Sequence, residues 1–218
     1  MYKNKKGKEQ SGRSMIEMLG VLAVIGVLSV GGLVGYSKAI ERYKVNETIN
    51  HITHIVTNTR TLFKTQRDFY TQLGFNNNKR MSDESNENRD IVSRAKLFPE
   101  AISKNGYKNL FGGDINYFAS GRFVSNDGKA FQLNFYNFPQ EACIEIVTRD
   151  WSSSLGIMSI RVRGSISPVS LTKIYSSSCT TEYAEGGGIF CAEDIPLSVE
   201  QAVIVCDTES NQVSLKFY

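Results

Sequence analysis

Proline is scarce in this chain, with four in 218 residues, and only 22% of the residues are charged against 41% hydrophobic. That composition excludes a chain disordered throughout its length. No basic surplus survives past residue 12. Lys3, Lys5, Lys6 and Lys8 against Glu9 carry the whole net charge of +3, and the remaining residues sum to zero. The chain therefore lacks the global field that steers a protein to nucleic acid. No G-x-S-x-G, no H-E-x-x-H and no nucleophile–base–orienter set occurs, so nothing in the sequence points to an enzyme or implies a cofactor. The two histidines, His51 and His54, sit three apart, which gives two ligands on one helix and a poor metal site. Asp83, Glu84, Glu87 and Asp90 lack the spacing and the glycine of a calcium loop. The glycine run 186–188 is not followed by the Lys-Ser/Thr of a phosphate cradle. No metal site is expected.

What the chain does have is one long apolar run. Residues 18–36 read MLGVLAVIGVLSVGGLVGY, without a charge. As a helix this run spans about 28 Å, close to the thickness of a bilayer core. The lysines precede it and the long polar remainder follows it. The positive-inside rule then holds residues 1–12 in the cytoplasm and exports everything after residue 36. A secretory signal has a shorter apolar core with its cleavage site behind it. An uncleaved signal-anchor accounts for the lysines and the run, and would tether an exported enzyme or receptor domain.

Two residues fit that simple anchor poorly. Gly12 separates the basic leader from the sequence RSMIEMLGVLAVIGVL, and Glu17 places an ionisable group inside the apolar stretch. A carboxylate at that depth costs about 3 kcal/mol on insertion scales, which marks it as functional. A positive partner at the same depth would compensate it. The α-amino group of a neighbouring chain cut just before Arg13 supplies such a partner. Gly31-x-x-x-Gly35, in the same run, permits close helix–helix approach.

The segment Gly12-Arg-Ser-Met-Ile-Glu17 with its apolar run resembles the class III signal of type IV prepilins and pseudopilins. The resemblance implies that a prepilin peptidase cuts between Gly12 and Arg13 and N-methylates Arg13. It also implies that Glu17 meets the N-terminus of an adjacent subunit during assembly. The sequence departs from the family at Arg13, where an apolar residue is usual. LFGGDINYF at 110–118 and FQLNFYNFPQEACIEIV at 131–147 resemble the type IVb pilin subgroup, with Asn109-Leu-Phe-Gly-Gly113 as its turn and Phe138-Pro139 for its usual Val-Pro. The implied function is that of a structural pilus subunit. It would start in the bacterial inner membrane with its C-terminal domain in the periplasm, and be extracted by the inner-membrane assembly machinery into a homopolymeric surface filament. A secretion-system pseudopilin is the alternative within the same family.

The expected fold class is α+β: a long N-terminal α-helix, membrane-spanning in its first half and amphipathic in its second, packed on an antiparallel sheet. Val45, Ile49, Ile52, Val56, Phe63 and Tyr70 recur on one helical face, widened by Ile55, Leu62 and Phe69, and Gly74 stops the pattern. The domains are then a leader at 1–12, a helix at 13–73 and a head at 75–218. A continuous helix of that extent is about 90 Å long and must bury its stripe against the head. Within the head, 91–102 suggests a short helix or an ordered loop; 114–118, 121–125, 130–138, 156–164 and 212–217 suggest strands. Pro139 opens a helix over 140–149. Ser198-x-x-Gln201 reads as a capping box opening another.

Cys143, Cys179, Cys191 and Cys206 form no C-x-x-C. Beyond a membrane segment they point to disulfides, with reduced core cysteines as the alternative. Four cysteines allow three pairings. The type IVb resemblance favours Cys143–Cys206, the bond that ties the last strand to the head. It leaves Cys179–Cys191 to close the loop around the glycine run.

Overall fold

The computed structural model describes residues 15–64, 81, 87–119, 130–164, 179 and 181–218. The helix end expected near Leu73, Tyr70 with Phe69, and the strand expected at 121–125 lie outside the described residues. The described chain falls into two compact units, Met1–Arg42 and Tyr43–Tyr218.

One helix, α1 (Met15–Phe63), dominates the first unit and continues into the second. In the first unit its apolar side chains are exposed, for example Leu22 at 63% and Val27 at 75%. The two serines of this stretch bond to their own helix: Ser29 Oγ donates to the Ile25 carbonyl at 2.7 Å, and Ser37 Oγ to Leu33 at 3.0 Å. Satisfied internally, they do not break the apolar surface.

In the second unit α1 buries Val45, Thr48, Ile49, His51, Ile52, Ile55, Val56, Thr59 and Phe63, the spacing of one helical face. Leu62, expected to widen that face, is 44% exposed. The partner of the face is a fully antiparallel six-stranded sheet in the order β1-β2-β6-β3-β5-β4. Its strands are β1 (Ile115–Ala119), β2 (Phe131–Phe138), β3 (Ile157–Arg163), β4 (Glu182–Ala184), β5 (Gly187–Cys191) and β6 (Asn211–Phe217). Register makes the sheet two-sided. Tyr117, Leu133, Leu215, Ile160 and Phe190 align across five strands as one apolar row. The adjacent row, Asn116, Asn134, Ser214 and Arg161, is polar. The period of two in the sequence thus sends one set of side chains to the core.

The remaining helices among the described residues are short. Two of them, α2 (Glu87–Arg94) and α3 (Glu100–Lys104), stand where the sequence suggests one short helix or an ordered loop over 91–102. Pro99 separates them: at φ −54°, ψ 144° it is extended and sits at the entry to α3. The helix α4 (Gln140–Val147) starts behind Pro139, and α5 (Ser152–Leu155) is a single turn that the sequence did not reveal. The last, α6 (Val199–Val205), opens on the capping box: Gln201 N–H donates to Ser198 Oγ at 3.2 Å, and Ser198 N–H to Gln201 Oε1 at 2.9 Å.

The Asn109–Gly113 turn has a direct physical cause. Asn109 donates its amide to the Tyr136 carbonyl at 2.7 Å and accepts from Phe111 N–H at 2.9 Å and Gly113 N–H at 3.1 Å. That pulls Gly113 onto β2 so closely that a Cβ there would lie 1.8 Å from the Tyr136 oxygen. Only glycine fits.

Candidate functional site

The first candidate is the N-terminal helix itself. Gly12 and Arg13 lie outside the described residues. Glu17 is the acidic residue in the first turn of α1 and is exposed. An exposed carboxylate near a helix start also interacts favourably with the helix dipole, so its position serves the helix as well as any partner. Around it Ile16, Met18 and Leu19 are 80%, 59% and 63% exposed. The run is long and apolar enough to cross a membrane. A Cβ added at Gly31 or at Gly35 would meet nothing within 4 Å, so that small-residue face is open. A helix apolar on all sides belongs in lipid or among other helices rather than in water.

The disulfides occupy the other end of the chain. Cys143 of α4 is joined to Cys206, which ends α6, across 63 residues. Cys179 is joined to Cys191 at the end of β5, across 12. The first bond clamps two helices that pack on each other just before β6 leaves for the centre of the sheet.

The histidines separate. His51 is 9% exposed and approaches Glu47 at 3.4 Å, one turn away. Burial pushes its pKa down, while Glu47 pulls it up and His54 adds to the lowering. His54 instead faces Asn58 at 3.2 Å. Among the described residues no group of three or more His, Cys, Asp or Glu side chains gathers to hold a metal. Asp83 and Glu84 lie outside the described residues, and Asp90 is paired with Arg94 at 3.0 Å.

Sequence reasoning missed Arg60. From α1 its Nη2 donates to the Leu155 carbonyl at 2.5 Å and to Gly156 at 3.4 Å, and its Nε donates to the Tyr218 carbonyl at 3.1 Å. One guanidinium thus ties the helix to the start of β3 and to the residue after β6. Carbonyl acceptors carry no sequence signature, so no pattern marks this role. It also missed the β4–β5 hairpin, whose signal was present: Glu185-Gly186 is a two-residue turn, with Gly186 at φ 81° and Ala184 paired to Gly187. Gly188 belongs to the strand, where a Cβ would come within 2.5 Å of Tyr183 Cβ.

Charge is also unevenly placed. Glu182, Glu185, Glu193, Asp194, Glu200, Asp207 and Glu209 are exposed, and no Lys, Arg or His stands between Cys179 and Lys216. At α2 and α3 the balance reverses, with Arg89, Arg94, Lys96, Lys104 and Lys108 against Glu87, Asp90 and Glu100.

A family model described as PilS N terminal matches residues 42–215, well over half of the chain. The chain belongs to the PilS N-terminal family. It is a type IV pilin-like protein, and its fold is α+β, with a long apolar N-terminal helix and an antiparallel sheet. No curated protein matches it. Among solved structures, the crystal structure of TcpA, a type IV pilin from Vibrio cholerae El Tor biotype, is similar at 16% identity with a TM-score of 0.42, over 79% of this chain and 99% of that one. The PilS match begins at residue 42, so it rests on the head and the second half of α1. The family is one of structural proteins.

Proposed function

We propose that this chain is the structural subunit of a type IV, most closely type IVb, pilus. One observation carries the reading: a PilS-family head follows a helix whose apolar surface is exposed on every side through its first unit. Lipid satisfies that surface before assembly, and the same helix from other subunits satisfies it afterwards. The precursor enters the inner membrane with its head in the periplasm. Prepilin peptidase removes residues 1–12, and the inner-membrane assembly machinery extracts the subunit into a surface filament. Glu17, inside the apolar run, pairs with the new N-terminus at Arg13 of a neighbour. This pairing gives the carboxylate its compensating charge once lipid or neighbouring helices cover it. The Cys143–Cys206 bond and the Asn109–Gly113 turn support the type IVb assignment.

The mass and the N-terminal peptide of the protein from native membranes test the processing. The expected chain begins at Arg13, with or without one added methyl group. A chain still carrying Lys3 to Lys8 in cells with active prepilin peptidase would instead establish an uncleaved anchor, and the proposed role of Glu17 would fall.

A further inference from the structure

Among the described residues, opposite charge surpluses lie toward the two edges of the sheet. β1 and β4 are the two edges. The segment holding α2 and α3 leads into β1 through the bridge between Lys108 and Asp114. Its basic surplus therefore lies toward the β1 edge. At the far edge, β4, β5, the short 3-10 turn Ala192–Asp194 and α6 carry only acidic charge. Two of these carboxylates, Glu193 and Asp194, sit side by side on that exposed turn. Thr181 Oγ1 donates to Asp194 and steadies it.

The basic side is concave. A cleft of about 640 Å³ opens between α2 and α3, lined in part by Arg89, Ser93, Ser103, Lys104 and Tyr107. Tyr107 Oη donates to the Arg89 carbonyl at 3.3 Å, and the Arg89 guanidinium lies 5.2 Å from the centre of the Tyr107 ring. The ring holds the cation in place without neutralising it. Asp90 and Glu100, also on the cleft wall, are already engaged by Arg94 and by Lys104 at 2.6 Å. An incoming carboxylate thus meets a pre-positioned guanidinium, while the Ser103 hydroxyl is already given to the Glu100 carbonyl at 3.1 Å.

We propose that this cleft receives the acidic 3-10 turn of a second copy, with Glu193 of one head on Arg89 of the next. The inference rests on the filament reading above. The two surfaces are different patches of the same molecule, so the contact is heterologous and repeats from copy to copy. Such contacts generate open filaments when the rotation between copies does not close. Charge complementarity fixes the register of one head on the next.

Charge reversal in the full-length chain, read as filaments per cell beside wild type, tests it. Arg89→Glu and Glu193→Arg, each alone, place like charges together and are expected to cut filament number by about tenfold or more. The double variant, carrying both changes in every copy, restores the pair with its sign inverted and is expected to return to within about twofold of wild type. Recovery in the double variant also shows that neither change acts through misfolding. Single variants with wild-type filament numbers, or a double variant as poor as the singles, would overturn the contact while leaving the filament reading intact. Wild-type cells without filaments of this chain would overturn both.

Discussion

Replacing Glu17 with alanine is expected to leave membrane insertion and the cut before Arg13 intact and to abolish filaments. Insertion survives because the substitution makes an already apolar run more apolar, saving about 3 kcal/mol for the carboxylate. Cleavage survives because the scissile bond, between Gly12 and Arg13, lies outside the changed side chain. Assembly fails because the subunit loses the only carboxylate in residues 13–36 that can compensate a neighbour's α-amino group once that group leaves the membrane surface. Membrane fractionation, the mass of the processed chain and electron microscopy of the same cells separate the three steps. Glu17→Gln is the informative control. It keeps size and hydrogen bonding but not charge, and should fail with alanine if the pairing is ionic. Normal filament numbers in Glu17→Ala cells would refute the pairing.

Loss of the Cys143–Cys206 bond is the second large effect. Replacing both with serine should lower the unfolding free energy of the full-length protein by about 4 kcal/mol, from the denatured-chain entropy of a 63-residue loop. Both cysteines are fully buried, so two serine hydroxyls placed there add to the loss. Replacing Cys179 and Cys191, which close 12 residues beside the exposed β4 edge, should cost about 3 kcal/mol and leave the centre of the sheet in place. Denaturant unfolding of the detergent-solubilised protein measures both. The expected order is the 143–206 pair below the 179–191 pair. The reverse order, or a loss under about 1 kcal/mol for the first pair, would mean that α4 and α6 hold together without their bond.

The parts of the fold legible in the sequence are those where a local period answers to burial. Ile49, Ile52 and Val56 repeat as a helix stripe and are buried as one. In β6, alternation places Val213, Leu215 and Phe217 in the core. The capping box at Ser198 and the helix start at Pro139 are legible because a cap is a contact between residues close in sequence. What stayed hidden depends on distant partners. The division of 91–102 into two helices follows from the extended backbone at Pro99 and from Lys96 at φ 52°, while the apolar spacing alone runs through both. Arg60 reads as an ordinary solvated cation until the Leu155 and Tyr218 carbonyls are brought to it. The hairpin of β4 and β5 hid behind three consecutive glycines, which suggest a loop but here allow Tyr183 to lie against the Gly188 backbone. Glu17 is legible as an anomaly in an apolar run, yet its partner belongs to another molecule, and no single chain contains it.

The most direct measurement is the composition of filaments sheared from cells that produce this protein. The account predicts that the purified filaments consist of this chain, that their subunit begins at Arg13, and that deleting the chain removes them. Filaments that persist without it, or that lack it when it is produced, would contradict the assignment of this chain as their structural subunit.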